Sequence, residues 1–260
     1  MTGRDNVQKQ SQPLQIDSQT IYGLFSIPRQ GLDKGVLKMV DYRNEQEMFN
    51  LMPEKLYAAV ISDILDSLGA HNQAMRADIC PIYPGAIVVG RAYPVISADI
   101  FKLTEDPYRG EIEAVDSLKP NDVIVWSTNQ SRRTCVWGEL LSTAARARGA
   151  RGAIIDGYTR DVAQITAMKF PVFATGRKPV DSAGRSMVID HGCPAQCGDV
   201  LVKPGDIVFG DIDGVVVIPR ELEKNVITLA LEKVKKENLV RDDLLKGVLL
   251  RDAYNKHKTL

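Results

Sequence analysis

A surplus of charge of either sign is missing from this chain of 260 residues, where 33 lysines and arginines balance 33 aspartates and glutamates. That balance removes the electrostatic case for non-specific nucleic-acid binding, which needs a basic surplus or stripe. Cysteine is scarce: Cys80, Cys135, Cys193 and Cys197 are too few for a disulfide framework in a chain of this length. Long apolar runs are missing too. The longest, such as Gly214-Val215-Val216-Val217-Ile218, are strand-length, far from the roughly 20 residues of a membrane span. Met1 to Gln19 are polar and hold no signal-peptide core, which points to a cytoplasmic protein. Histidine is rarer still. A phosphohistidine carrier needs a reactive loop histidine; His191 reads as a structural hydrogen-bonding residue, and His71 and His257 are expected to be exposed. What is present, 44% hydrophobic and 25% charged residues, suits an ordinary folded chain and excludes collagen-like, low-complexity or wholly disordered classes.

Three segments follow from the patterning. Residues 1–52 mix polar stretches with scattered apolar residues and read as an N-terminal arm. Residues 53–219 hold the core, and 220–260 a helical tail whose apolar positions include Val226, Leu229, Ala230, Val234, Leu244, Leu245 and Leu249. A helix is expected from Pro53, a residue suited to a first helical position, to Gly69, which supplies a left-handed stop. Turns then launch strands: Pro84-Gly85 before Ala86–Val89, with Tyr93–Ile96 beyond it as a second strand or a bulged continuation, Lys119–Asp122 before Val123–Trp126, and Lys203–Asp206 before Ile207–Phe209. Between them, strand Val123–Trp126, helix Glu139–Arg148, strand Ala153–Asp156, helix Asp161–Met168 and strand Pro171–Ala174 alternate. That order implies parallel strands joined by right-handed crossovers. Asp213-Gly214 marks a hairpin, so the domain is α/β with a mixed sheet.

Ligands of open α/β sheets collect at the carboxyl ends of parallel strands. Two segments lie there. Trp137-Gly138-Glu139-Leu140-Leu141 opens a helix whose first amides, near Leu140 and Leu141, can bind a carboxylate or phosphate beside a side-chain-free Gly138. Asp156-Gly157-Tyr158-Thr159-Arg160-Asp161 offers a permanent cation and an oxygen ligand side by side. Taken singly, each is ordinary strand-to-helix punctuation; their convergence on one sheet edge favours a site. The loop Ser127–Thr134, with Arg132 and Arg133, is expected to border the same crevice. His191, Cys193 and Cys197 make half a zinc motif with Pro194 inside it, and read better as reduced structural thiols. A Schiff-base lysine needs desolvation, and Lys102, Lys119, Lys169, Lys178 and Lys203 all neighbour polar or turn residues.

Gly138-Glu139, twenty intervening residues and then Arg160-Asp161 resemble the (D/E)-x₂₀-R-D signature of the 4-hydroxy-4-methyl-2-oxoglutarate aldolase/RraA-like family. Ser62–Gly69, Gly152–Gly157, and Pro204-Gly205-Asp206 leading into Gly210–Val215 fit the same pattern, so the resemblance runs from about Glu54 to Pro219. Glu139 departs from it, standing where the aldolases carry Asp. The resemblance implies a swivelling β/β/α-type fold, homotrimers or homohexamers with sites between subunits, and a divalent-metal lyase acting on pyruvate-derived hydroxy acids. Carried over, Gly138, Glu139, Leu140, Leu141 and Arg160 bind the 2-oxo acid substrate, Asp161 ligates Mg²⁺ or Mn²⁺, and Arg160, Asp161 and Glu139 serve catalysis. Oxaloacetate decarboxylation is the implied companion activity, with no membrane or nucleic-acid partner. The broad family also implies a rival: a protein-binding regulator of an RNA-processing endonuclease, some of whose members lack the metal-binding acid that Asp161 supplies here. A methyltransferase reading finds no glycine-rich cofactor loop.

Overall fold

The computed structural model describes residues 44–260; residues 1–43 of the expected arm lie outside them. Helix α1 (Glu45–Lys55) starts where the Asn44 side chain accepts a hydrogen bond from the Glu47 amide (2.9 Å), and it buries Met48, Phe49 and Met52. The expected single helix from Pro53 is corrected. Pro53 falls in the last turn of α1, the backbone extends at Leu56 and Tyr57, and α2 (Ala58–Ser67) begins afresh. Proline is tolerated there because the Phe49 carbonyl, which it cannot serve, accepts a bond from Arg151 Nη2 (2.9 Å).

Four parallel strands form the centre of a nine-stranded sheet: β2 (Val88–Asp99), β3 (Asp122–Ser127), β5 (Gly152–Thr159) and β6 (Val172–Arg177). Of the two readings of Tyr93–Ile96, the continuation holds: it belongs to the same strand as Val88-Val89, β2, which runs to Asp99 with a register shift between Ile96 and Ser97. Helices α3 (Arg109–Asp116), α4 (Glu139–Ala147) and α5 (Val162–Met168) make the crossovers. Short β4 (Cys135–Trp137) adds a parallel pairing to the last residues of β5. Antiparallel partners complete the mixed sheet: β1 (Cys80–Pro81) on β6, β7 (Ser186–His191) on the second half of β2, and the hairpin β10 (Ile207–Asp211) and β11 (Gly214–Ile218) beside its first half. Residues 73–75 pair with β11 just before β1 joins β6, so this segment crosses from one edge of the sheet to the other. β8 (Ala195–Cys197) and β9 (Val200–Val202) pair separately.

Alternation along the central strands explains why both faces are covered. Ile124 and Trp126 of β3, with Ala153 and Ile155 of β5, face α3, α4 and α5. Val123, Val125 and Ile154 point the other way, onto Val208 and Val217 of the hairpin and Cys197 of β8. A third cluster joins α1 and α2 to α6 (Glu223–Leu245). The tail then turns at Gly247 (φ 86°), which needs the left-handed conformation, into α7 (Leu250–His257). His257 is not exposed as expected. Across that turn its Nε2 lies 2.7 Å from Asp243 Oδ2, with only 13% of the side chain accessible.

Candidate functional site

The carboxyl ends of β4 and β5 meet the N-termini of α4 and α5 at one place. Gly138 caps α4, and its side-chain-free face is filled by its neighbours: a Cβ there would stand 2.7 Å from Asp161 Oδ2 and 3.3 Å from Arg160 Cγ. Asp161 caps α5 in the left-handed conformation (φ 57°, ψ 35°), an uncommon one for a non-glycine residue that costs on the order of 1 kcal/mol or more. The geometry turns its carboxylate back to α4, where Oδ2 accepts the Glu139 amide (3.1 Å) and lies 3.7 Å from Arg160 Nε. A negative side chain at the positive end of α4 is favourable. Oδ1 has no hydrogen-bond or ion-pair partner among the described residues.

Arg160 is half-exposed and held in two ways. Its amide donates to the Trp137 carbonyl (3.0 Å), and Nη1 pairs with Asp181 Oδ1 (3.0 Å). Nη2 has no ion-pair partner among the described residues. Among the described residues, the amides of Leu140 and Leu141 are the donors of the first turn of α4 left without a partner, Glu139's being taken by Asp161 and Ser142's by the Gly138 carbonyl. Gly138, Leu140, Leu141, Arg160 and Asp161 all line one cavity of about 420 Å³. Asp161 and Arg160 also border a second, of about 480 Å³, with Arg177 and Lys178. The Glu139 side chain lines neither; its Oε1 accepts the Thr143 hydroxyl one turn along α4 (2.7 Å).

The cavity's far wall went unread in the sequence. It comes from α3 and the loop after β6. Glu111 is 7% exposed, and burial pushes its carboxyl up to about 7 against the opposing bond from Ser182. Asp181 is held below its ordinary range: burial would raise it, but the Tyr108 hydroxyl (2.6 Å), the Ala183 and Ser182 amides and the Arg160 charge outweigh that. Burial raises the Cys135 thiol, which donates to the Lys178 carbonyl.

The arginine loop does not border this crevice, contrary to expectation. Arg133 turns away to the carbonyls of Ile100 (2.9 Å) and Arg185 (3.3 Å) and stacks 4.0 Å from the Phe101 ring, because those acceptors lie at the exit of β2. Arg132 is exposed, and its carbonyl accepts Lys178 Nζ (2.7 Å). Asp156 also serves the frame, buried against Arg76 and the Gly198 amide. His191 Nδ1 pairs with the Tyr93 hydroxyl (2.8 Å), and Cys197 is fully buried. Among the described residues no three His, Cys, Asp or Glu side chains are grouped to hold a metal ion, and no helix is long and apolar enough to cross a membrane.

Fold and site together define an α/β protein with a mixed sheet, with a cavity lined by Arg160 and the exposed Asp161 at the carboxyl edge of its parallel strands. The chain belongs to the RraA-like family (Aldolase/RraA), whose profile matches residues 58–217. It is 43% identical over 123 residues to the uncharacterized protein MJ0644 of Methanocaldococcus jannaschii, covering 47% of this chain and 58% of that one. It is 29% identical over 196 residues to protein DlpA of Legionella pneumophila, covering 75% and 31% respectively. The chain thus spans 58% and 31% of the length of those two relatives. A Halalkalibacterium halodurans protein named "Putative 4-hydroxy-4-methyl-2-oxoglutarate aldolase" is 31% identical over 175 residues, covering 66% of this chain and 77% of its own. Among solved structures, an uncharacterized protein of Pseudomonas syringae superposes with a TM-score of 0.72 at 27% identity, covering 82% of this chain and 95% of that one. Streptomyces coelicolor RraAS2, titled an unusual member of the RNase ES inhibitor RraA protein family, superposes at 0.68 with 24% identity over 76% of this chain and 98% of its own, a likeness of fold.

Proposed function

We propose that this protein is a divalent-metal-dependent carbon–carbon lyase that cleaves 4-hydroxy-2-oxo acids to pyruvate and a second oxo compound, with oxaloacetate decarboxylation as a side activity. One observation carries the reading: Arg160 Nη2, the amides of Leu140 and Leu141, and Oδ1 of Asp161, all without a partner among the described residues, belong to residues lining one cavity. The aldolase names borne by relatives at about 30% identity support it.

The residues fit a hard cation that keeps most of its water. Asp161 offers one carboxylate oxygen with no partner among the described residues, no imidazole lines the cavity, and its one thiol, Cys135, is raised by burial and spent on the Lys178 carbonyl, so the donor set suits Mg²⁺ or Mn²⁺ rather than zinc. Asp161 would hold the ion, which when bound supplies Lewis-acid stabilisation of charge on the substrate's keto oxygen. Arg160 would pair with the pyruvyl carboxylate through the edge that Asp181 leaves open, and the α4 amides would orient its oxygens. Asp181 holds the guanidinium in place before substrate arrives, and the Trp137 carbonyl fixes the backbone that carries it, so little ordering is left for binding. Glu139 would accept a proton only from a rotamer that leaves Thr143. Exposed Leu140 and Ile112 at the cavity suit burial by a second copy of the chain in a homotrimer or homohexamer.

The regulator reading rests on likeness of fold, which leaves the paired Arg160 and Asp161 without a task. The test is pyruvate release from 4-hydroxy-2-oxo acids and oxaloacetate after EDTA treatment, with and without added Mg²⁺ or Mn²⁺. Metal-dependent release supports the lyase. Turnover unaffected by EDTA, or no turnover with any substrate or metal, defeats it.

A further inference from the structure

Resting on the lyase reading, we infer that Arg177 and Lys178 form the subsite for a second carboxylate at the far end of the substrate, and that they set the preference for a dicarboxylic 4-hydroxy-2-oxo acid. Topology places them. β6 runs parallel to β5, and Arg177, its last residue, is in register with Thr159. The Lys178 amide donates to the Thr159 carbonyl (3.1 Å), one residue before Arg160. Both cations therefore stand at the carboxyl edge of the parallel strands, beside the turn that carries Arg160 and Asp161. All four residues line the second cavity, of about 480 Å³. Arg160 and Asp161 line the first cavity as well, so the two spaces meet at the residues assigned to the pyruvyl carboxylate and the metal ion.

Both cations are held, and neither is neutralised. Arg177 Nη2 donates to the Ile82 carbonyl (2.8 Å). Lys178 Nζ donates to the Arg132 carbonyl (2.7 Å) and stands 5.9 Å from the centre of the Tyr158 ring. A carbonyl fixes a side chain without cancelling its charge, and among the described residues no carboxylate lies within ion-pair distance of either cation. Neighbouring cations without a counter-charge repel each other, and a bound anionic group relieves that repulsion. Arg177 is exposed and Lys178 half-buried, so a ligand reaches both. With the pyruvyl carboxylate on Arg160, the C4 end of the substrate has room to pass Asp161 into the second cavity. A carboxylate on C4 meets two cations there, and a methyl group gains nothing from them.

Two cleavage substrates differ only in that group: 4-hydroxy-2-oxoglutarate carries a carboxylate on C4 and 4-hydroxy-2-oxopentanoate a methyl. In both, the C3–C4 bond breaks with its electron pair left on C3. The C4 hydroxyl loses its proton to become the product's carbonyl, and C3 takes up a proton as the pyruvate methyl. With the Mg²⁺-loaded protein, kcat/KM for the dicarboxylic substrate should exceed that for the other by about tenfold or more, the worth of one charge-assisted pair. That ratio should fall by about fivefold or more in Arg177→Gln and in Lys178→Gln. The fall should come through KM with kcat little changed, because the contact is the same in the bound substrate and the transition state. Arg177→Lys keeps the charge and should retain most of the ratio, and added salt should compress it in the parent. Groups that a second copy brings to the site are present in parent and variants alike, since the protein is assayed as it assembles. A parent that handles both substrates alike or prefers the monocarboxylic one, or a ratio unmoved in both glutamine variants, overturns the inference alone. Exchange of the pyruvate methyl protons in D₂O, followed by NMR with neither substrate present, separates this from the lyase reading. Parent-like exchange in the variants supports a loss confined to the distal end. No metal-dependent exchange in the parent overturns both.

Discussion

Glu111→Gln should make the protein more stable at alkaline pH and leave it nearly unchanged in acid. The carboxyl is 7% exposed, and its pKa stands at about 7 against an ordinary 4.5. Burial penalises the ionised form, so between those two values the folded chain binds more protons than the unfolded one. Stability therefore falls as pH rises through that window and is flat above it. At about 1.36 kcal/mol per pKa unit, the full deficit is roughly 3 kcal/mol above pH 8, about 2 at pH 6 and about 1 at pH 5. Glutamine carries no charge to desolvate, and its carbonyl can still accept the Ser182 hydroxyl. The variant should recover that deficit. Urea unfolding of both proteins at pH 5, 6 and 8 measures it; with a slope of about 2–3 kcal/mol per M, the midpoint gain at pH 8 is roughly 1 M. A gain that is the same at pH 5 and pH 8, or a loss at pH 8, would refute the reasoning. Either result would mean that the carboxyl is solvated or paired in the native state.

Asp161→Ala should abolish metal-dependent pyruvate release with the fold intact by circular dichroism, and excess Mg²⁺ or Mn²⁺ should restore little; near-parent activity would move the ion elsewhere. Arg160→Lys should lose most kcat/KM and most inhibition by oxalate, since an ammonium cannot both hold Asp181 and present a flat edge to a carboxylate. Gly138→Ala should cut activity at least tenfold, because the new methyl lies 2.7 Å from Asp161 Oδ2 and must displace it; parent-like kinetics would show that the carboxylate's place is unimportant. Arg133→Ala should lower the melting temperature by loosening the exit of β2 while leaving KM for every substrate within twofold, and a selective rise in KM would return that arginine to the site.

The parallel core was legible because its signals are local. Each central strand alternates over two covered faces, and the α4 and α5 crossovers begin at a glycine and an acid, Gly138 and Asp161, next to an apolar run. Errors arose where a distant group overrides the local rule. Pro53 reads as a helix start, yet Arg151, a hundred residues away, satisfies the carbonyl that proline leaves open. His257 reads as a polar tail residue, yet Gly247 folds α7 back onto Asp243. Arg133 sits on a loop leaving a central strand, but the nearest carbonyls belong to the neighbouring β2 and to the segment before β7.

The site divides along the same line. Gly138, Arg160 and Asp161 could be placed from sequence because they sit at strand ends within two adjoining crossovers. The opposite wall could not. Helix α3 is only eight residues long, half of them charged, and contains Gly110, whose missing side chain admits Val188 of β7, so no long apolar run announces it. Glu111 within it looks like any first-turn acid. Asp181 carried one usable signal: it follows β6, the next parallel strand, by four residues, at the edge where ligands collect. The same rule that singled out Arg160 therefore applied to Asp181. What no run of neighbouring residues announces is its pairing with Arg160 (3.0 Å), a tertiary contact whose two members only the fold brings together.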